Sequence, residues 1–146
     1  MKSVLLALLC LATTCGATEK VVTDYMLNCM GCHLDDGRGY ALRGVPALSG
    51  YMGNFLKVPG GREFLVQVPG SAQSDLSDAE LATLLNWMLH SFSPQQLPAD
   101  FVAYSAAEVA RLRHRPLVDV AGTRASLVRQ IEQPDAKRKQ AGHRDE

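Results

Sequence analysis

Cys29, Cys32 and His33 stand in the order Cys-x-x-Cys-His, within the segment Asn28-Cys29-Met30-Gly31-Cys32-His33. Two thiols on one helical turn can reach the two vinyl groups along one porphyrin edge. An imidazole directly after the second thiol then supplies the proximal ligand to the iron. The spacing reads as covalent attachment of one c-type haem. Three other chemistries use paired cysteines. A plain disulfide leaves His33 unexplained. A thioredoxin-type redox pair needs a βαβ context, and no alternating strand pattern lies nearby. A zinc site needs further ligands, and only His90, His114 and His143 remain, without a second paired motif.

The other two cysteines, Cys10 and Cys15, belong to a segment of a different kind. Met1-Lys2 is a short positive start, Val4 to Ala12 is apolar throughout, and Thr13 to Ala17 is small and weakly polar. This is the layout of a secretory signal peptide over residues 1–17, with cleavage expected after Ala17. The apolar run is too short to span a bilayer. The rival reading, a lipoprotein with Cys15 lipidated, meets Ala12 and Thr14 where a lipidation site wants Leu and Gly or Ala. Export places Cys29 and Cys32 in an oxidising compartment, the periplasm.

The elements that must position the motif follow from pattern. The chain has 146 residues, 47% of them hydrophobic, which fits one domain with appendages and provides for a core. Val21 to Asn28 precedes the motif with apolar residues along it, and Thr23 or Asp24 can cap a short helix that runs into Cys29. From Asp35 to Gly50 the chain is polar and glycine-rich, so irregular backbone is expected. Asn54 to Val58 reads as a helical turn and Arg62 to Val68 as a short apolar stretch broken by Pro69-Gly70. The clearest helix begins with the capping box Ser77-Asp78-Ala79-Glu80. Leu81, Leu84, Leu85, Met88, Leu89 and Phe92 repeat along one face, with Trp87 on its flank, until Pro94 ends it. A Pro/Gln linker spans Ser93 to Asp100. A second capping box, Ser105-Ala106-Ala107-Glu108, opens another helix that stops before Pro116, and Ser126 to Gln133 reads as a third. The last residues, 135–146, are almost all polar and expected to be disordered.

From about Val22 to Phe92 the chain resembles the bacterial class I monohaem cytochromes c. Three features carry the resemblance. They are the helix running into Cys29-Met30-Gly31-Cys32-His33, the run Pro46-Ala47-Leu48-Ser49-Gly50, and the terminal helix opened by Leu76-Ser77-Asp78-Ala79-Glu80 and carrying Trp87. The resemblance implies an all-α fold wrapped around one covalent haem c. It also implies that the Pro46 carbonyl accepts from Nδ1 of His33, orienting the ligand and tuning its basicity.

The sequence departs from that family at the sixth iron ligand. The family places an axial Met shortly before the terminal helix, and Val68 stands there instead. No Met or His lies between Gly53 and Trp87. Met26 and Met30 sit with the attachment motif, and Met88 reads as packing on the helix stripe. Met52, in a glycine-bounded loop, is the candidate distal ligand. An open distal position is the alternative, able to bind a diatomic gas or peroxide. His90 falls on the helix face opposite Leu81 and reads as surface. Arg43, Arg62, Tyr51 and Trp87 are open either to haem propionates or to ordinary surface and core roles.

Charge is unevenly divided. The formal net charge is zero, which gives no electrostatic case for a nucleic-acid reader. Thr18 to Ala110 carries five basic and ten acidic residues, whereas Arg111 to Glu146 carries nine and five. The basic end is either a solvated run or a segment that folds over the acidic part or docks a partner. The resulting expectation has a signal peptide (1–17), a cytochrome c domain (18–95), a helical extension (96–134) and a tail (135–146). The expected activity is single-electron transfer between periplasmic partners, a dehydrogenase and/or a terminal oxidase, without turnover of a substrate by the chain itself. The alternatives are the open-site haem protein and a haem subunit of a periplasmic dehydrogenase complex.

Overall fold

In the computed structural model the described residues are 15–115 and 117–133. The predicted signal segment up to residue 14 and the predicted tail 135–146 lie outside them. The described chain is helical, with an isolated Tyr40–Val45 bridge and no strand. Seven α-helices follow in order: α1 (Cys15–Asn28), α2 (Met30–His33), α3 (Gly61–Gln67), α4 (Pro69–Ala72), α5 (Asp78–Phe92), α6 (Ala106–Arg113) and α7 (Val120–Glu132). Short 3₁₀ segments cover Ala41–Arg43, Met52–Lys57 and Pro94–Gln96.

The first helix starts earlier than its sequence suggests. Thr23 and Asp24 do not cap it, because α1 runs on upstream through the predicted cleavage point after Ala17. Thr23 Oγ1 instead donates to the Glu19 carbonyl at 2.9 Å, and Asp24 pairs with Lys20 at 2.9 Å across one helical turn. Lys20 also reaches Glu80 at 2.9 Å, which ties α1 to the start of α5. Tyr25 presses the two helices together, its ring 5.4 Å from Trp87 and 5.1 Å from Phe92.

The helix α5 forms as its pattern predicts. Ser77 accepts from the Glu80 backbone and Glu80 reaches back to the Ser77 backbone, so the capping box is complete. Leu81, Leu84, Leu85, Met88 and Leu89 are buried along one face. The second capping box is only half formed. Ser105 accepts from the Glu108 N–H, but the Glu108 carboxylate is taken by Arg62 on α3, at 2.6 Å and 2.7 Å. A charged, two-pronged partner outcompetes the helix's own backbone for that carboxylate.

This pair is one of several ties that fasten the C-terminal helices to the rest. Arg62 also donates to the Val102 carbonyl at 2.7 Å and lies 4.0 Å over the Tyr104 ring. Asn86 and Tyr104 exchange two hydrogen bonds, at 2.8 and 3.0 Å. Arg113 donates to the carbonyls of Ala72, Ser74 and Leu76, closing the loop before α5, and pairs with Asp78 at 3.0 Å. The predicted Pro/Gln linker is itself packed: Ser93 is fully buried, accepts from Gly53 N–H at 2.9 Å and donates to Gln96 at 3.0 Å. Tyr104, Val109, Leu112 and Leu127 belong to the same apolar cluster as Leu84, Leu85 and Leu89. One core therefore runs through residues on both sides of position 95.

Candidate cofactor site

The Cys-x-x-Cys-His segment is held as a single tight turn. Cys29 breaks the dihedral run between α1 and α2, while its N–H still donates to the Tyr25 carbonyl at 2.9 Å. The Cys29 carbonyl accepts from Cys32 and His33 at 3.1 and 2.9 Å, so the three side chains are displayed from one turn. Leu34 then leaves the helix with φ +66°, an unusual value for a branched residue, and the Tyr25 hydroxyl grips its carbonyl at 2.6 Å.

The glycine-rich segment folds back to serve the histidine. Pro46 O lies 3.1 Å from His33 Nδ1. A proline carbonyl can only accept, so Nδ1 carries the proton and Nε2 keeps its lone pair for a metal. Gly39 makes that approach possible. It sits at φ +70°, donates to the His33 carbonyl at 3.0 Å, and a Cβ there would collide with the Pro46 carbonyl. Gly37 works one step further on: its carbonyl accepts from Leu48 and Ser49 at 2.7 and 3.1 Å, closing the loop.

Cys29, Cys32, His33 and Pro46 line a cavity of about 660 Å³. Its walls are apolar: Leu48, Met52, Phe55, Phe64, Leu65, Val68, Leu85 and Met88 contribute, and α7 adds Val120, Ala121 and Ala125. The volume lies within the usual range for cofactor and ligand pockets. Burial, with a smaller push from Cys32, raises the Cys29 thiol to about 11. A redox pair of the thioredoxin type works through a thiol lowered into the neutral range, so this environment suits a bonded sulfur and not a thiolate nucleophile. Burial also lowers His33, which keeps the imidazole neutral, and the Pro46 bond partly opposes the shift. Among the described residues no cluster of three or more His, Cys, Asp and Glu is placed to hold a metal ion, as a zinc site would require.

Met52 is buried and lines the same cavity as His33. Met88 is core, as its stripe position suggests, and also borders the cavity. Met26 is exposed, and Val68 lines the wall. His90 is exposed, with its ring edge-on to Phe101. Arg38, Arg43, Tyr51, Arg62 and Trp87 do not line the cavity. Arg38 pairs with Asp36, Arg43 lies over Tyr40, Arg62 holds Glu108, and Trp87 packs on Tyr25 and Phe92. Folding of the basic end over the acidic part was one expectation, but the sequence did not single out α7 as a cavity wall. The signal was present, since Val120, Arg124, Leu127 and Ile131 fall on one helical face, but a stripe does not say what it faces.

No family model matches the chain. It is similar to two curated proteins, each named cytochrome c-552 and each from Thermus thermophilus. One is 29% identical over 135 residues, spanning 80% of this chain and 90% of that protein. The other is 29% identical over 107 residues, spanning 61% of this chain and 81% of its own length. These similarities support a cytochrome c family. The helical architecture, with α1 packed on α5 beside the Cys-x-x-Cys-His turn, agrees with a cytochrome c helical fold. Among the described residues no helix is long and apolar enough to cross a membrane.

Proposed function

We propose that the chain is an exported single-electron carrier of the class I cytochrome c type, holding one haem c through thioether bonds from Cys29 and Cys32. The observation that carries this reading is the presentation of both thiols and a Pro46-oriented His33 on the wall of one apolar, cofactor-sized cavity. In this reading residues 18–95 form the cytochrome c part and 96–134 a helical extension, after removal of a signal peptide at 1–17. A bound haem would supply an iron that changes between two oxidation states one electron at a time.

The chain's own residues then do the remaining work. Cys29 and Cys32 would hold the haem covalently. His33 would offer Nε2 to its iron, with the Pro46 carbonyl setting the orientation and basicity of the imidazole. Phe55, Phe64, Leu65 and Leu85, on the cavity wall, would keep water away and so favour the less charged, reduced iron. Met52 is the proposed distal ligand, supported by its burial in the same cavity. The proposed partners are proteins that donate or accept single electrons in the periplasm, a dehydrogenase and/or a terminal oxidase.

A second reading, an open distal position that binds a diatomic gas or peroxide, is favoured by Val68 at the wall position where the resemblance expects a ligand. One experiment tests both. The exported protein is purified, denatured and stained for haem, and its reduced spectrum is recorded with and without carbon monoxide. Haem that survives denaturation in the wild type and vanishes in the Cys29→Ala/Cys32→Ala double variant supports covalent attachment; a haem-free wild type would overturn it. A low-spin spectrum unchanged by carbon monoxide supports the carrier, and a shifted spectrum supports the open site.

A further inference from the structure

The residue directly after His33 is held in a strained conformation. Among the described residues Leu34 is the one non-glycine with a positive φ. Its φ of +66° and ψ of 171° fall in a region essentially reserved for glycine, because a Cβ there crowds its own backbone. Core packing does not account for a leucine at this point. The side chain is half-buried and lies outside the apolar cluster. Such a conformation persists only where the surroundings hold it in place.

Leu34 is held on both sides. Its N–H donates to the Met30 carbonyl at 2.8 Å, closing the turn that carries Cys32 and His33. Its carbonyl accepts from the Tyr25 hydroxyl at 2.6 Å and from the Gly37 N–H at 3.4 Å. Tyr25 is 2% exposed and wedged against Trp87 and Phe92 of α5, so its hydroxyl is a fixed point and not a follower. The direction in which the chain leaves Leu34 decides what returns to His33. Gly39 N–H comes back to the His33 carbonyl at 3.0 Å, and the Pro46 carbonyl to Nδ1 at 3.1 Å.

We infer that Tyr25 and Leu34 form a latch behind His33: the tyrosine hydroxyl holds the strained joint, and the joint aims the chain so that Pro46 orients the imidazole. Both are positioning residues. A glycine at this place would adopt the conformation without strain and would need no latch. Leucine relaxes only by moving to negative φ, so the joint has one held position and one released position. The setting of His33 is thereby tied to the packing of α1 on α5, which fixes Tyr25. The latch is a property of the chain's own backbone, and only its redox readout rests on the haem reading above.

The test is a double-mutant cycle on the full-length, haem-loaded protein, with Tyr25→Phe, Leu34→Gly, Leu34→Ala and the pair Tyr25→Phe/Leu34→Gly. Folding equilibria measure the strain. At an unstrained position glycine is less stable than alanine. Here Leu34→Gly should show a folded/unfolded ratio at least about fivefold above that of Leu34→Ala. The setting of His33 is read from the exchange rate of its Nδ1–H and from the reduction potential. Tyr25→Phe alone should speed that exchange about fivefold. It should also move the potential toward the reduced form, as the imidazole loses basicity. In the Leu34→Gly background the same substitution should leave both readouts nearly unchanged. Equal effects in the two backgrounds, or a Leu34→Ala variant as stable as Leu34→Gly, would overturn the inference and leave the haem reading intact. A wild type without covalent haem would instead sink the haem reading, while the two folding equilibria would still decide the strain.

Discussion

Replacing Arg62 by Met tests whether the C-terminal helices are part of the fold or merely lie on it. Arg62 and Glu108 are 26% and 20% exposed and meet through two short bonds, 2.6 and 2.7 Å. The guanidinium also serves the Val102 carbonyl and stacks on Tyr104. Exposed pairs contribute about 0–1 kcal/mol and breaking a fully buried pair costs about 3–5 kcal/mol, so this intermediate site falls at about 2 kcal/mol. Loss of the cation–π contact adds about 0.5–1 kcal/mol, giving about 2–3 kcal/mol in all. For a chain of this length that is roughly 6–12 °C in Tm, readable by thermal unfolding of the haem-loaded protein. The difference also depends on pH. Its bond to Arg62 holds the Glu108 carboxyl below its ordinary value. A lowered folded pKa gives stability that is present above the unfolded pKa and lost as pH falls through the folded one. The gap between wild type and Arg62→Met should therefore be full at neutral pH and narrow as the medium turns acid. A loss under about 1 kcal/mol, or a gap that does not change with pH, would refute the reasoning and make the pair an ordinary surface contact.

Further predictions concern the cavity. Gly39→Ala places a methyl against the Pro46 carbonyl at a positive φ, so stability should fall by about 1–3 kcal/mol and the reduction potential should move as His33 loses its orienting bond; equilibrium unfolding and redox titration measure the two. Met52→Ala should convert the reduced protein to a form that takes up carbon monoxide, seen in its absorption spectrum; an unaltered low-spin spectrum would remove Met52 as ligand. Tyr25→Phe frees the Leu34 carbonyl at the end of the motif and should cost about 1 kcal/mol in chemical denaturation, with little change in haem content.

The parts legible in the sequence were those decided by local chemistry. The spacing of Cys29, Cys32 and His33 marks the single turn that presents them to the cavity, and Ser77 with Glu80 declares the start of α5. Both depend only on residues a few positions apart. What stayed hidden depended on partners distant in the chain. Glu108 has the right spacing for a capping box, yet Arg62, 46 residues away, takes its carboxylate. The helix α1 extends upstream of Thr23 and Asp24, which find bonding partners four residues back within it. Arg124 looked like one charge in a basic run; only the docking of α7 against Met52–Lys57 turned it toward the cavity.

The two sides of the cavity come from opposite ends of the described chain, His33 near its beginning and Arg124 near its end. A contact between such distant residues forms late, because the long intervening loop must close first. While α7 is undocked, the turn bearing Cys29 and Cys32 is approachable from a side that the finished molecule covers. Under the proposed haem reading, loading and closure would be separate events in time. The order in which the chain folds would then be part of how the cavity is filled, and local release of α7 would be the route for reopening it.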